Sequence, residues 1–181
     1  EAGRVVQIDA VEIDLAAVSQ SQQNIAHSPW PEAIQVHHSD ILTWDTPVSR
    51  RYSVIVSNPP FFTPGLNCSS RARQTARYTT TLNHQALLRS AQQRLTADGR
   101  FCVILPVAAG EQFIALAQQD GWTLLHCRRI SEFADRQPHR LYMVFSLHCG
   151  ECIDDRLVIR ESAGGYSDDY RQLTGTFYLS S

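Results

Sequence analysis

The sequence predicts an α/β chain organised on a doubly wound, mostly parallel sheet. Three observations carry that expectation. Short β-branched apolar runs alternate with amphipathic helical stretches along most of the chain. Several runs end on an acidic or turn-forming residue, as strands do when they deliver side chains to a ligand crevice. The last two long apolar runs follow each other without a helix between them, which predicts an antiparallel edge pair.

The run from Val5 begins as a strand that carries Glu12 at its end, and Asp14 then caps a helix through about Ala26. Ser28-Pro29-Trp30-Pro31 closes that helix. Ile34 to His38 reads as the next strand, ending in Ser39-Asp40-Ile41. Tyr52 to Val56 is a short buried strand that runs into Ser57-Asn58-Pro59-Pro60-Phe61-Phe62. A helix is expected from roughly Asn83 to Leu95, stopped by Asp98-Gly99. A buried strand from Arg100 to Pro106 and a helix from Glu111 to Gln119 follow, the latter ended by Gly121. Trp122–Ile130 and Arg140–Leu147 form the expected pair, joined by a polar loop from Ser131 to His139. The tail offers a short strand at Leu157-Val158-Ile159, a Gly164-Gly165 turn and a segment with Tyr166, Tyr170, Phe177 and Tyr178. No repeat and no linker interrupts the 181 residues, so residues 1–181 read as one domain.

Composition narrows the chemistry. With 43% hydrophobic and 19% charged residues the chain is an ordinary globular one, and its net charge of −2 supplies no overall basic field. Contact with nucleic acid therefore requires a local patch. All sixteen basic residues are arginine, which excludes a Schiff-base lysine, a phosphate-loop lysine and a lysine general base. No apolar run is long enough to span a membrane and the start does not resemble a signal peptide, so a cytoplasmic protein is expected. Five scattered cysteines fit reduced thiols, and the lone Cys149-Gly150-Glu151-Cys152 reads as a turn between strands rather than a zinc or redox site. His37 and His38 alternate to opposite faces and have no ligand-spaced partner, so no metal is expected there.

The most informative stretch is the one after the Tyr52–Val56 strand. Two consecutive prolines remove two ladder donors, and the residues before each are pushed out of the helical region. The result is a stiff loop at the carboxyl end of a strand. It presents the Asn58 amide oxygen and the Pro59 carbonyl as adjacent acceptors beside the ring of Phe61. That set suits a planar molecule with an exocyclic amino group, its two hydrogens taken by the oxygens and its ring stacked on Phe61. The alternative is a rigid strand-to-loop corner without a ligand. Glu12 is placed either to accept the hydroxyls of a ribose or as an ordinary exposed carboxylate. Asp40 is placed to accept from an adenine amino group, with Ile41 beside it to cover the ring. In the long segment after the prolines, Arg71, Arg73 and Arg77 read either as phosphate contacts, with Tyr78 for stacking, or as a solvated helix start.

Strand with terminal Glu12, helix, strand with terminal Asp40, strand with Asn58-Pro59-Pro60-Phe61, helix, strand, helix and two paired strands together resemble a class I S-adenosylmethionine-dependent methyltransferase entered at its second strand. The resemblance implies a Rossmann-like sheet with S-adenosylmethionine as cofactor. It implies that Glu12 and the adjoining Ile13 hold the cofactor ribose, that Asp40 and Ile41 hold its adenine, and that Asn58, Pro59 and Phe61 hold the amine to be methylated, with Asn58 near the cofactor as well. Val11-Glu12, Asn24-Ile25, Ser28-Pro29-Trp30, Ala76 to Leu82, Leu105-Pro106, Pro138-His139-Arg140 and Arg156 to Arg160 are similar to the bacterial tRNA1(Val) adenine-N6 methyltransferase family along essentially the whole chain. That family acts on the adenosine 3′ of the anticodon, which makes the anticodon loop of a tRNA the implied partner. Enzymes acting on rRNA guanine N2 or protein glutamine N5 share the Asn-Pro-Pro-aromatic loop. A non-catalytic RNA-binding scaffold is a third reading. The family's first strand and Gly-rich turn are expected to precede Glu1, on roughly 40–60 further residues. The oligomeric state is open, with a monomer as the expectation.

Overall fold

The computed structural model describes residues 6–45, 50–60 and 84–176. The chain divides into two compact units, Glu1–Arg50 and Arg51–Ser181.

In the first unit β1 (Ile8–Glu12) pairs in parallel with β2 (Ile34–His38), with Glu12 opposite His38. The crossover between them is α1 (Leu15–Ala26), capped as expected by Asp14, whose Oδ1 accepts from the Ala17 amide at 2.8 Å. Asp9 is nearly enclosed, with a side chain 4% exposed, and lies 2.7 Å from His37 Nε2 and 3.2 Å from Arg50 Nη1. A buried carboxylate is costly unless paired, and these two partners meet that need. His37 is thus a half-buried structural histidine, whereas His38 is exposed.

The second unit is a five-stranded sheet in the order β3-β4-β6-β5-β7. Its strands are β3 (Tyr52–Ser57), β4 (Leu95–Pro106), β5 (Thr123–Ser131), β6 (Arg140–Ser146) and β7 (Ile153–Val158). β6 is antiparallel to both β4 and β5, while β3 is parallel to β4 and β7 to β5. α2 (His84–Arg94) and α3 (Val107–Gln119) pack on one face. There the alternating residues Phe101, Val103 and Leu105 of β4 meet Leu141, Met143 and Phe145 of β6, together with Leu88, Phe113 and Trp122. The Phe113 ring lies 5.7 Å from that of Phe145 and 5.1 Å from that of His84.

Several expectations are refined. β3, expected to be buried, has no buried residue, with Val54 and Val56 54% and 75% exposed, because α2 and α3 cover the opposite face of its sheet and only Ile55 reaches the core. The antiparallel pair is not at the edge, because β7 adds beyond β5 and begins at Ile153 rather than Leu157. β4 begins at Leu95, straight after α2, and absorbs the Asp98-Gly99 turn as an irregularity: Tyr52 pairs with Leu95 and Val54 with Arg100. A Cβ on Gly99 would lie 2.4 Å from Leu95 Cγ, so the tight excursion requires glycine. α3 begins at Val107, four residues early, because the fixed φ of Pro106 serves as its N-cap. The helix α4 (Asp168–Thr174) was not expected, although Ser167 caps it and Asp168 and Asp169 occupy its first turn.

Candidate active site

The first unit gathers Glu12 and Asp40 at the carboxyl ends of two neighbouring parallel strands, as the sequence suggested. One oxygen of each carboxylate fixes its own turn. Glu12 Oε1 accepts from the Asp14 amide at 2.8 Å, and Asp40 Oδ1 accepts from the Leu42 amide at 2.9 Å. The Asp40 carbonyl further accepts from Thr43 and Trp44, and the Ser39 amide donates to the Glu12 carbonyl at 3.0 Å. Both loops are therefore shaped by their own backbone, and among the described residues the second oxygen of each carboxylate accepts no hydrogen bond. Ile13 is exposed beside Glu12 and Ile41 is half-buried beside Asp40. Two fixed acceptors with apolar neighbours can receive a group that carries hydroxyl or amino donors on a flat ring system.

The second unit places Asn58 and Pro59 immediately after β3, at the carboxyl edge of its sheet. Pro59 is buried and Asn58 is exposed, so the proline anchors the corner while the amide faces outward. Among the described residues the Asn58 side chain makes no hydrogen bond. Pro59 and Pro60 have no backbone donor and so cannot extend the β3 ladder. Phe61, Arg71, Arg73, Arg77 and Tyr78 lie outside the described residues.

Elsewhere on this unit Arg128 clamps Asp155 through two hydrogen bonds, 2.7 and 2.6 Å, and His126 Nε2 lies 3.1 Å from the same carboxylate. The Arg128 hydrogen bond, with His126 adding to it, holds Asp155 down to about 2. Burial and a contact with Cys102 push the Tyr142 phenol up to about 12. Cys149 and Cys152 are exposed in the connection between β6 and β7. Arg156, which the sequence shows only within the Arg156–Arg160 string, gathers the loop between β5 and β6 through its guanidinium. No local signal reveals it, because its acceptors lie 20–25 residues away.

The chain is 48% identical over 174 residues to the tRNA1(Val) (adenine(37)-N6)-methyltransferase of Salmonella typhi, an alignment covering 96% of this chain and 71% of that protein. The corresponding protein of Salmonella typhimurium matches to the same extent. A predicted O-methyltransferase from Agrobacterium tumefaciens shares the fold at a TM-score of 0.72 and 11% identity, over 96% of this chain and 79% of that one. The fold is accordingly the Rossmann-like one of class I methyltransferases, with β6 the antiparallel insertion. The profile of the methyltransferase small domain matches residues 1–119, and with relatives this similar the chain belongs to the methyltransferase small domain family.

Proposed function

We propose that the chain transfers a methyl group from S-adenosylmethionine to the exocyclic N6 amine of the adenosine at position 37, 3′ of the anticodon, in tRNA1(Val). The observation that carries this reading is the near-half identity, over 174 residues, to enzymes named for that reaction. It falls on a chain whose β3 ends in an outward-facing Asn58 on a proline-stiffened corner.

The residues present fit the cofactor. Glu12 and Asp40 each offer a carboxylate oxygen to ribose hydroxyls and to an adenine amino group, and Ile13 and Ile41 flank them. S-adenosylmethionine, when bound, would supply an electrophilic methyl group on its sulfonium sulfur, the S–CH3 bond breaking as the N–CH3 bond forms and S-adenosylhomocysteine being the leaving group. The adenine amine is a weak nucleophile because its lone pair is delocalised into the ring. Asn58 Oδ1 and the Pro59 carbonyl accept its two hydrogens and favour a pyramidal nitrogen with a directed lone pair. Positive charge on that nitrogen is stabilised by the same two fixed oxygens. The proton leaves to water afterwards, so no strong base is needed. An asparagine accepts these bonds without adding a negative charge beside the amine. Phe61 stacks on the extruded base, and Arg71, Arg73 and Arg77 contact phosphates with Tyr78 as a further stacking surface. The setting of this reading is cytoplasmic and its partner is the anticodon loop of a tRNA.

The test is incubation of the protein, expressed from its own reading frame, with labelled S-adenosylmethionine and unmodified bulk tRNA, followed by nucleoside analysis. Label in N6-methyladenosine is expected. No label in tRNA, with label in an rRNA guanine or a protein glutamine when rRNA or cell protein is supplied in parallel reactions, would keep the fold and overturn the substrate. Exchange of Arg71, Arg73 and Arg77 for alanine is expected to weaken tRNA binding and flatten its salt dependence, and an unmoved slope would remove them from the interface.

A further inference from the structure

The parallel strands β3, β4, β5 and β7 all end at one edge of the second unit's sheet, and antiparallel β6 starts there. That edge carries Asn58 on one side and, beyond β4, the loop 132–139 with Arg140 at the start of β6. At about 4.8 Å per strand, the loop lies roughly 10–20 Å from the end of β3. Antiparallel neighbours need only a two-residue turn, so this longer connection is more than the fold requires.

The loop is also held in one shape. The His139 amide donates to the Ile130 carbonyl at 2.9 Å and closes it, and the Arg136 amide donates to the Phe133 carbonyl at 3.1 Å. Arg156, reaching over from β7, donates to the carbonyls of Ala134 and Arg136 at 2.9 and 2.7 Å and to the hydroxyl of fully buried Ser131 at 3.0 Å. Its acceptors are uncharged, so its positive charge is not neutralised. The nearby acids are partly spoken for. Glu132 is paired with Arg160 at 2.7 Å and Glu161 lies 3.9 Å from Arg171, while Asp135 is exposed next to Arg136. Arg136 and His139 are exposed, and among the described residues the Arg136 guanidinium has no partner.

We propose that the loop 132–139, fixed by Arg156 and presenting Arg136 and His139, is a backbone-contact surface for the RNA strand that leaves the Asn58 corner. The inference rests on RNA being the substrate. The physical logic is preorganisation: a loop already ordered by Arg156 loses little entropy when a strand settles on it. Guanidinium groups suit phosphates through their paired donors, and such contacts set register without reading bases. Arg156 acts as the positioning residue and Arg136 as the contact.

The test is tRNA affinity measured across a salt series. Losing one phosphate contact removes about one released counterion, so Arg136→Ala is expected to bind about tenfold more weakly near 0.1 M salt, with a slope shallower by about one. Arg156→Lys keeps the charge but not the fork. It is expected to weaken binding with little change of slope and to raise proteolytic cleavage within 132–139. Arg89→Ala, on exposed α2 surface, controls for charge removal. An affinity and slope unchanged in Arg136→Ala, or equally changed in Arg89→Ala, would overturn the surface. Absence of methyl transfer by the unsubstituted protein, with the Arg136 effect intact, overturns the catalytic reading instead and leaves the surface supported.

Discussion

The two faces of the five-stranded sheet are made by the same strands and have opposite characters. Toward α2 and α3, β4 and β6 send Phe101, Leu105, Met143 and Phe145, each 0% exposed. From the other side of those strands come Cys102, Ile104, Tyr142 and Val144, all half-buried, beside the Arg128–Asp155–His126 group. On that side of β3, Val54 and Val56 are 54% and 75% exposed. The alternation of a strand is enough to produce this division. The difference teaches that the helix-covered face holds the fully buried packing of the unit, while the other face mixes partly exposed aliphatic side chains with the Arg128–Asp155–His126 group.

The comparison breaks or sharpens at specific residues. The largest effect on stability belongs to Phe113→Ala, which empties a site lined by Phe101, Phe145 and His84 and is expected to cost about 3–5 kcal/mol in chemical denaturation. A loss under about 1 kcal/mol would mean that the packed face does not dominate. Asn58→Ala should leave the denaturation midpoint in place and lower methyl transfer by about 10²-fold, the scale of losing a positioned polar group. Full turnover in this variant would eliminate the loop from the chemistry.

The remaining predictions concern pH. Asp155 is depressed to about 2 by its Arg128 hydrogen bond, so its contribution to stability is present above the unfolded carboxylate value of about 3.9. That contribution declines as pH falls from about 4 toward 2, because the unfolded state then takes up the proton first. Asp155→Asn is expected to flatten the melting temperature across this window. At the other extreme Tyr142 titrates near 12 in the folded chain, against about 10 when unfolded. Above pH 10 the unfolded state loses the proton and is favoured, so stability should fall between pH 10 and 12, and Tyr142→Phe should lessen that fall. Both shifts belong to partly exposed groups, so these effects are the smallest of the set.

Much of the arrangement was legible because the residues involved act on their own neighbours. Asp14 caps α1 from within three residues, and two prolines end β3 whatever surrounds them. Glu12 and Asp40 stand at strand ends because the apolar runs stop there. Pro106 ends β4 as expected, but it also caps α3, so the helix starts at Val107 rather than Glu111; a proline that closes a strand does not by itself show that a helix opens straight after it. α4 was overlooked for want of an apolar stripe, although its capping serine and two aspartates were in view.

By itself, then, the sequence determined the α/β alternation, the strand ends that carry Glu12, Asp40 and Asn58, and the kinship that their spacing expresses. These depend on periodicity, caps and proline stereochemistry, all of which operate over a few residues. Only the tertiary structure decided the insertion of β6 between β4 and β5, the enclosure of Asp9 by His37 and Arg50, and the grip of Arg156 on a loop 20–25 residues away. Such contacts join segments distant along the chain, and their free energy arises from desolvated charge and shared packing that no local pattern records.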